Sequence, residues 1–145
     1  AIVIYQKALQ INENSPETHF NMGSILQRLG RSNEARVNYE KAISIKSDFL
    51  NAHFNLGLVY QNLQDNIKAI ESYEKAIELN PKDATFWRCR AYLRKENGEL
   101  EKALSDFKQA KKIEPKFQPT KNEIAELEME LGIERKNWIE KLIGK

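Results

Sequence analysis

Cysteine is nearly absent. The 145-residue chain holds a single one, Cys89, so neither an internal disulfide nor a paired-thiol metal or redox motif is available to it. A reducing, intracellular and cytoplasmic setting is therefore expected. Long apolar runs are also missing: no stretch approaches the roughly 20 residues of a membrane-spanning helix. The opening "AIVIY" has neither the length nor the basic start of a secretion signal. Neither sign of charge dominates, because 23 Lys+Arg against 21 Asp+Glu leave a net +2. That balance argues against a nucleic-acid surface. Catalytic signatures are lacking too, with no GxSxG, P-loop, HExxH or paired-glycine fingerprint. A protein that is not an enzyme and holds no cofactor and no metal is the expectation.

What remains is 41% apolar residues, enough for a core, and those residues recur. "HFNMGSILQRLGRSNEARVNYEKAISIKS" from His19 returns as "HFNLGLVYQNLQDNIKAIESYEKAIELNP" from His53. A step of 34 residues joins Gly23, Gly57 and Ala91; Ala35, Ala69 and Ala103; Tyr39, Tyr73 and Phe107; and Ala42, Ala76 and Ala110. Carried back once, it lands on Ala1, Tyr5 and Ala8, so the chain opens in the second half of a repeat. With a first residue that is not methionine, this suggests a piece of something longer.

Apolar spacings of three and four, as in Ala69, Ile70, Tyr73, Ala76 and Ile77, make each unit a pair of helices. First helices are expected near 16–29, 50–63 and 84–97, and second helices near 1–12, 33–45, 67–79 and 101–113. Breaks fall at Leu29-Gly30, Leu63 to Asn66 and Asn97-Gly98 between halves, and at Asn80-Pro81 and Glu114-Pro115 between units. Small residues at the shared positions let two helix backbones approach, and Tyr39, Tyr73 and Phe107 fill the space between units. One helix pair leaves its apolar stripe uncovered, so the pairs are expected to stack as a solenoid. The organisation read is a half-repeat over 1–15, repeats over 16–49, 50–83 and 84–117, and a C-terminal capping helix plus a short amphipathic helix over 118–145. In the last segment Ile124, Leu127 and Leu131 continue an apolar stripe among Glu123, Glu126, Glu128 and Glu130. Trp138, Ile139, Leu142 and Ile143 mark the amphipathic helix, whose open alternatives are docking on the solenoid, entering its groove or meeting another subunit.

His53, Leu56, Gly57, Tyr60, Ala69, Tyr73, Ala76 and Pro81 occur in the order of the tetratricopeptide repeat signature, which the chain resembles from Ala1 to about Phe117. Departures are Leu26 for the signature tyrosine, Ser47 for the closing proline, and Arg90 and Arg94 at usually apolar places. Those arginines suggest that part of their helix lies against solvent or a partner. The resemblance implies an all-α, right-handed superhelical solenoid whose inner wall, lined by first helices, binds an extended peptide or a helix of another protein.

By repeat position that wall comprises Glu17, Phe20, Asn21, Ser24 and Arg28 in the first full repeat. In the second it comprises Asn51, Phe54, Asn55, Leu58 and Asn62, and in the third Thr85, Arg88, Cys89, Tyr92 and Lys95. Asn21 and Asn55 share one repeat place, and an amide that donates and accepts suits a peptide backbone, as in the asparagine ladder of some family members. Phe20 and Phe54 offer apolar anchors, or else groove packing. The family's carboxylate clamp for chaperone tails needs Lys, Arg and Asn at set places. Here only Asn55 fits, and Phe20, Ser24, Thr85 and Cys89 fill the others, so no such clamp is expected.

Other candidates read as structural. His19 and His53 invite a metal, but Trp87 stands at the equivalent place, which marks a packing position for a ring. Cys89 has Arg88 and Arg90 beside it but no histidine base at helical spacing. Lys108, Lys111, Lys112 and Lys116 read as a solvated helix end rather than an anion or acidic-partner site. Three functions follow: a scaffold that binds a protein segment within a larger assembly, the targeting or regulatory arm of a larger enzyme, or a self-association module using Trp138, Ile139 and Leu142.

Overall fold

The computed structural model describes residues 3, 4, 7 and 14–143, with the side chains of residues 134–138 outside that description. Every regular element among the described residues is a helix. The chain divides into two compact units, Ala1–Pro81 and Lys82–Lys145. The helix expected over 1–12 falls largely outside the described residues.

In the first unit α1 (Pro16–Arg28) packs on α2 (Ser32–Ile45), α3 (Leu50–Asn62) on α4 (Asn66–Leu79), and α2 on α3. In the second, α5 (Ala84–Glu96) packs on α6 (Leu100–Ile113), α6 on α7 (Gln118–Glu130), and α7 on α8 (Ile133–Leu142). First helices thus begin at 16, 50, 84 and 118, and the 34-residue register persists where the sequence signature fades. The helix called a cap from its composition lies where the first helix of a further repeat would start. On α7, Thr120, Ile124 and Leu127 are buried, and Ile124 and Leu127 join the core of Ala91, Ala103, Leu104 and Phe107.

Local chemistry sets the element ends. Ser15 caps α1, its hydroxyl accepting from the Thr18 amide at 3.2 Å with Pro16 in the first turn. Asp65 and Asp83 cap α4 and α5 through the amides of Lys68 and Thr85. Between the helices of each pair the backbone turns through a left-handed residue: Gly30, Gln64, Gly98 and Gly132, with φ of +73°, +60°, +76° and +66°. The amide that follows reaches back to close the helix end, as Arg31 does to the Leu26 carbonyl at 2.9 Å, Asp65 to Tyr60 at 2.9 Å and Glu99 to Arg94 at 2.8 Å.

The core of the first unit joins Met22, Leu26, Ala35, Tyr39 and Ala42 to Ala52, Leu56, Val59, Ala69, Tyr73 and Ala76. Gly23 and Gly57 are there because a ring fills the space a Cβ would need: 2.8 Å from Tyr39 Cε1 at one, 2.5 Å from Tyr73 Cε1 at the other.

Arg90 and Arg94 do not face solvent or a partner. Both guanidinium groups turn onto Asp106 of α6, itself 2% exposed: Arg90 Nη2 to Oδ1 at 2.7 Å, Arg90 Nε to Oδ2 at 2.9 Å and Arg94 Nη1 to Oδ2 at 2.7 Å. A carboxylate placed within the helix pair accounts for charge at positions that Leu56 and Tyr60 hold one repeat earlier. Arg90 also stacks over the Trp87 ring at 5.1 Å.

Candidate functional site

In the first unit the predicted wall positions share the first-helix faces of α1 and α3, which touch one another. Phe20, Asn21 and Ser24 on α1 are half-buried, as are Phe54, Asn55 and Leu58 on α3. Glu17, Arg28, Asn51 and Asn62 are exposed around them. Both phenylalanines rest on the second helix of their own repeat. Phe20 packs against Tyr39 at 5.7 Å and Phe49 at 4.9 Å, and Phe54 against Tyr73 at 5.9 Å between ring centroids. Packing and partial exposure therefore coexist at these rings.

Beneath them runs a hydrogen-bonded chain. The Asn55 amide donates from Nδ2 to Tyr39 Oη at 3.2 Å, and Tyr39 Oη donates to Gln27 Oε1 at 2.8 Å, with Ser24 Oγ at 3.1 Å. Ser24 in turn donates to the Phe20 carbonyl at 3.1 Å. Burial raises the Tyr39 hydroxyl above its usual value, against the opposing pull of Ser24 and Asn55. Tyr73 donates to Gln61 at the place equivalent to the Tyr39–Gln27 bond. In the third repeat both partners change together, to Phe107 and Lys95, and the glycine becomes Ala91.

In the second unit the predicted wall positions are engaged by their own fold. Arg88 donates to Glu114 at 2.6 Å and to Thr85 Oγ1 at 3.2 Å, and lies 4.4 Å over the Phe117 ring. Lys95 reaches Glu123 at 2.9 Å and Glu126 at 3.2 Å on α7. Those pairings raise the lysine's pKa, the Glu123 hydrogen bond most of all. Tyr92 meets Phe107 edge-on at 5.0 Å, and its hydroxyl is pushed up by burial and then by the Glu123 charge. Cys89 is half-buried and forms no disulfide. The sequence marked Glu123 and Glu126 only as the polar coat of the last helix, although the 34-residue step from Cys89 and Tyr92 lands on them and places them beside Lys95.

His53 is buried with Nε2 at 2.8 Å from the Ser47 carbonyl, and His19 Nδ1 lies 3.5 Å from Asn38 Oδ1. Among the described residues no three His, Cys, Asp or Glu side chains converge as metal ligands. Lys108 pairs with Glu128 at 2.7 Å, while Lys111, Lys112 and Lys116 are exposed. On α8, Ile139 and Leu142 are exposed, as is Ile143 at its end, and the Trp138 side chain lies outside the described residues. Two furrows of about 500 and 470 Å³ occupy repeat-equivalent places, one beside His53, Glu71 and Ser72, the other beside His19, Val37 and Asn38. None of the helices among the described residues is long and apolar enough to cross a membrane.

Three tetratricopeptide repeat family models match, over residues 50–83, over 1–30 and 28–64, and over 72–105. No curated protein matches the chain. Among solved structures, the MamA protein shares the fold at TM-score 0.86 and 24% identity, covering 94% of this chain and 74% of that one. MamA of Desulfovibrio magneticus RS-1, residues 41 to the end, gives 0.81 and 18%, covering 89% and 73%. The first tetratricopeptide domain of Spaghetti (RPAP3), bound to the HSP90 peptide SRMEEVD, gives 0.74 and 20%, covering 81% and 94%.

Proposed function

The chain belongs to the tetratricopeptide repeat family, a protein–protein interaction module, and we propose that it binds an extended segment of a partner protein along the first-helix groove of residues 16–81. The observation that carries this reading is the strip of half-buried Phe20, Asn21 and Ser24 on α1 and Phe54, Asn55 and Leu58 on α3. It combines apolar anchors with amides that give and accept hydrogen bonds. Thr85, Arg88, Cys89, Tyr92 and Lys95 hold the corresponding places in the third repeat, but their charges are already matched within the second unit, so the first unit supplies most of the contact. The module binds and does no chemistry itself, as a scaffold within a larger assembly, and its lone cysteine suits a reducing compartment such as the cytoplasm.

The RPAP3 domain is named with an acidic HSP90 peptide. Here the clamp positions hold Phe20, Ser24, Thr85 and Cys89, with Asn55 alone of the required type, so this groove does not take an acidic chaperone tail. The test is capture from the source cell by the wild-type chain and by an Asn21→Ala, Asn55→Ala variant of equal helical content. Specific partners that disappear with the variant support the groove. Partners retained unchanged by the variant overturn it.

A further inference from the structure

Resting on that groove reading, we propose that Tyr39 and Gln27 are positioning residues which lock the Asn55 amide so that it reads the backbone of an extended partner in one chain direction. A primary amide offers two nearly isosteric orientations, and only its hydrogen-bond partners choose between them. Tyr39 Oη carries one hydrogen and has two acceptors beside it, Gln27 Oε1 at 2.8 Å and Ser24 Oγ at 3.1 Å, whose own hydrogen goes to the Phe20 carbonyl, so what it presents to Asn55 is a lone pair. Asn55 answers with Nδ2 at 3.2 Å.

Turned the other way, Oδ1 would face an oxygen whose proton is committed elsewhere, two acceptors in contact. Tyr39 is 0% exposed and its ring is wedged against Gly23, so the hydroxyl cannot move aside. Oδ1 of Asn55 is left to accept, and the second hydrogen on Nδ2 is left to donate. In an extended chain the N–H and C=O of one residue point to the same side, which matches that pair of groups in a single orientation. The ligand class is thus an extended segment with a backbone N–H opposite Asn55 Oδ1. Proline, which has no such hydrogen, is excluded at that residue.

The lock is confined to Asn55 among the described residues. Tyr73 makes the same bond to Gln61, but the place 34 residues beyond Asn55 holds Cys89, which has no amide to orient.

The test uses the whole chain. The Tyr39→Phe variant removes the lone pair, and Phe107 at the same repeat place shows that a ring without a hydroxyl fits this fold. Gln27→Glu keeps an acceptor for Tyr39 and should behave as wild type. One readout needs no ligand: one Asn55 Nδ2 proton should exchange with solvent several-fold more slowly in wild type and in Gln27→Glu than in Tyr39→Phe. Equal rates in all three overturn the lock. For the second readout, peptides selected from a random display library on wild type are remade with each backbone nitrogen methylated in turn. One methylation should weaken wild-type binding about tenfold and Tyr39→Phe binding by less than about twofold. If Phe20→Ala and Phe54→Ala leave peptide affinity unchanged, the groove reading fails and this inference with it. If they weaken it but methylation acts equally on wild type and Tyr39→Phe, the inference alone fails.

Discussion

Glycine, tyrosine and glutamine act as one set twice in this chain, through Gly23, Tyr39 and Gln27 and through Gly57, Tyr73 and Gln61. The glutamine bond pins the hydroxyl, the pinned ring occupies the volume of a Cβ, and only glycine fits below it. Where Lys95 replaces the glutamine and Phe107 the tyrosine, an alanine, Ala91, is accommodated. Gly57→Ala should therefore cost about 1–3 kcal/mol, seen as a lower urea midpoint with unchanged slope. The Arg90–Asp106–Arg94 cluster makes a second prediction. Asp106→Ala takes from two half-buried guanidinium groups the carboxylate they share and should cost about 3–5 kcal/mol. Installing the first-repeat residues together, Arg90→Met, Arg94→Leu and Asp106→Asn, should be neutral or stabilising, because no ion then needs desolvation. The small-residue positions were legible from the 34-residue step alone, since backbone proximity demands them in every copy. The glutamines and Asp106 were not, because a polar residue on a helix carries no mark of what it faces until the partner helix is placed.

At the level of elements, the turn inside each pair is the most regular feature of the backbone. Gln64 holds a left-handed conformation that Gly30, Gly98 and Gly132 adopt without a Cβ. Gln64→Gly should raise stability by about 0.5–1 kcal/mol, with Gly98→Ala lowering it by a comparable amount, both measured by denaturant unfolding. Packing of α2 on α3 carries a pH signature. The Tyr60 hydroxyl on α3 donates to Glu40 on α2 at 2.6 Å and is pushed up to about 12, by burial first and then by that carboxylate. The unfolded chain gives up this proton near pH 10. Between pH 10 and 12 the unfolded state therefore binds fewer protons, and stability falls as pH rises through that window. In Tyr60→Phe that decline should be shallower, as urea midpoints across the window would record. Helix positions from 16 to 113 followed from apolar spacing and from breaks marked by Gly, Asn, Asp or Pro. The repeat register of α7 and α8 did not, because Ala125 alone keeps its small place 34 residues beyond Ala91, while Asn137 and Lys141 stand where the second helix of a repeat carries Ala103 and Phe107.

Taken whole, the chain is two compact units built from one kind of helix pair, and they differ in what their first helices have left to offer. In the second unit Arg88 and Lys95 are held by Glu114, Glu123 and Glu126. In the first, rings and amides lie half-exposed over a hydrogen-bonded floor. The first-helix positions could be numbered from the repeat step, but the engagement of those in the second unit could not, since ion pairs across helices are invisible to periodicity. Whether the first-helix face of residues 16–81 is the binding surface is tested by a map of backbone amide shifts on the 15N-labelled chain as a display-selected peptide is added. The largest shifts are expected on α1 and α3 around Phe20, Asn21, Phe54 and Asn55. Shifts confined to the furrows beside Val37 and Glu71, or to α8 around Ile139 and Leu142, would contradict that.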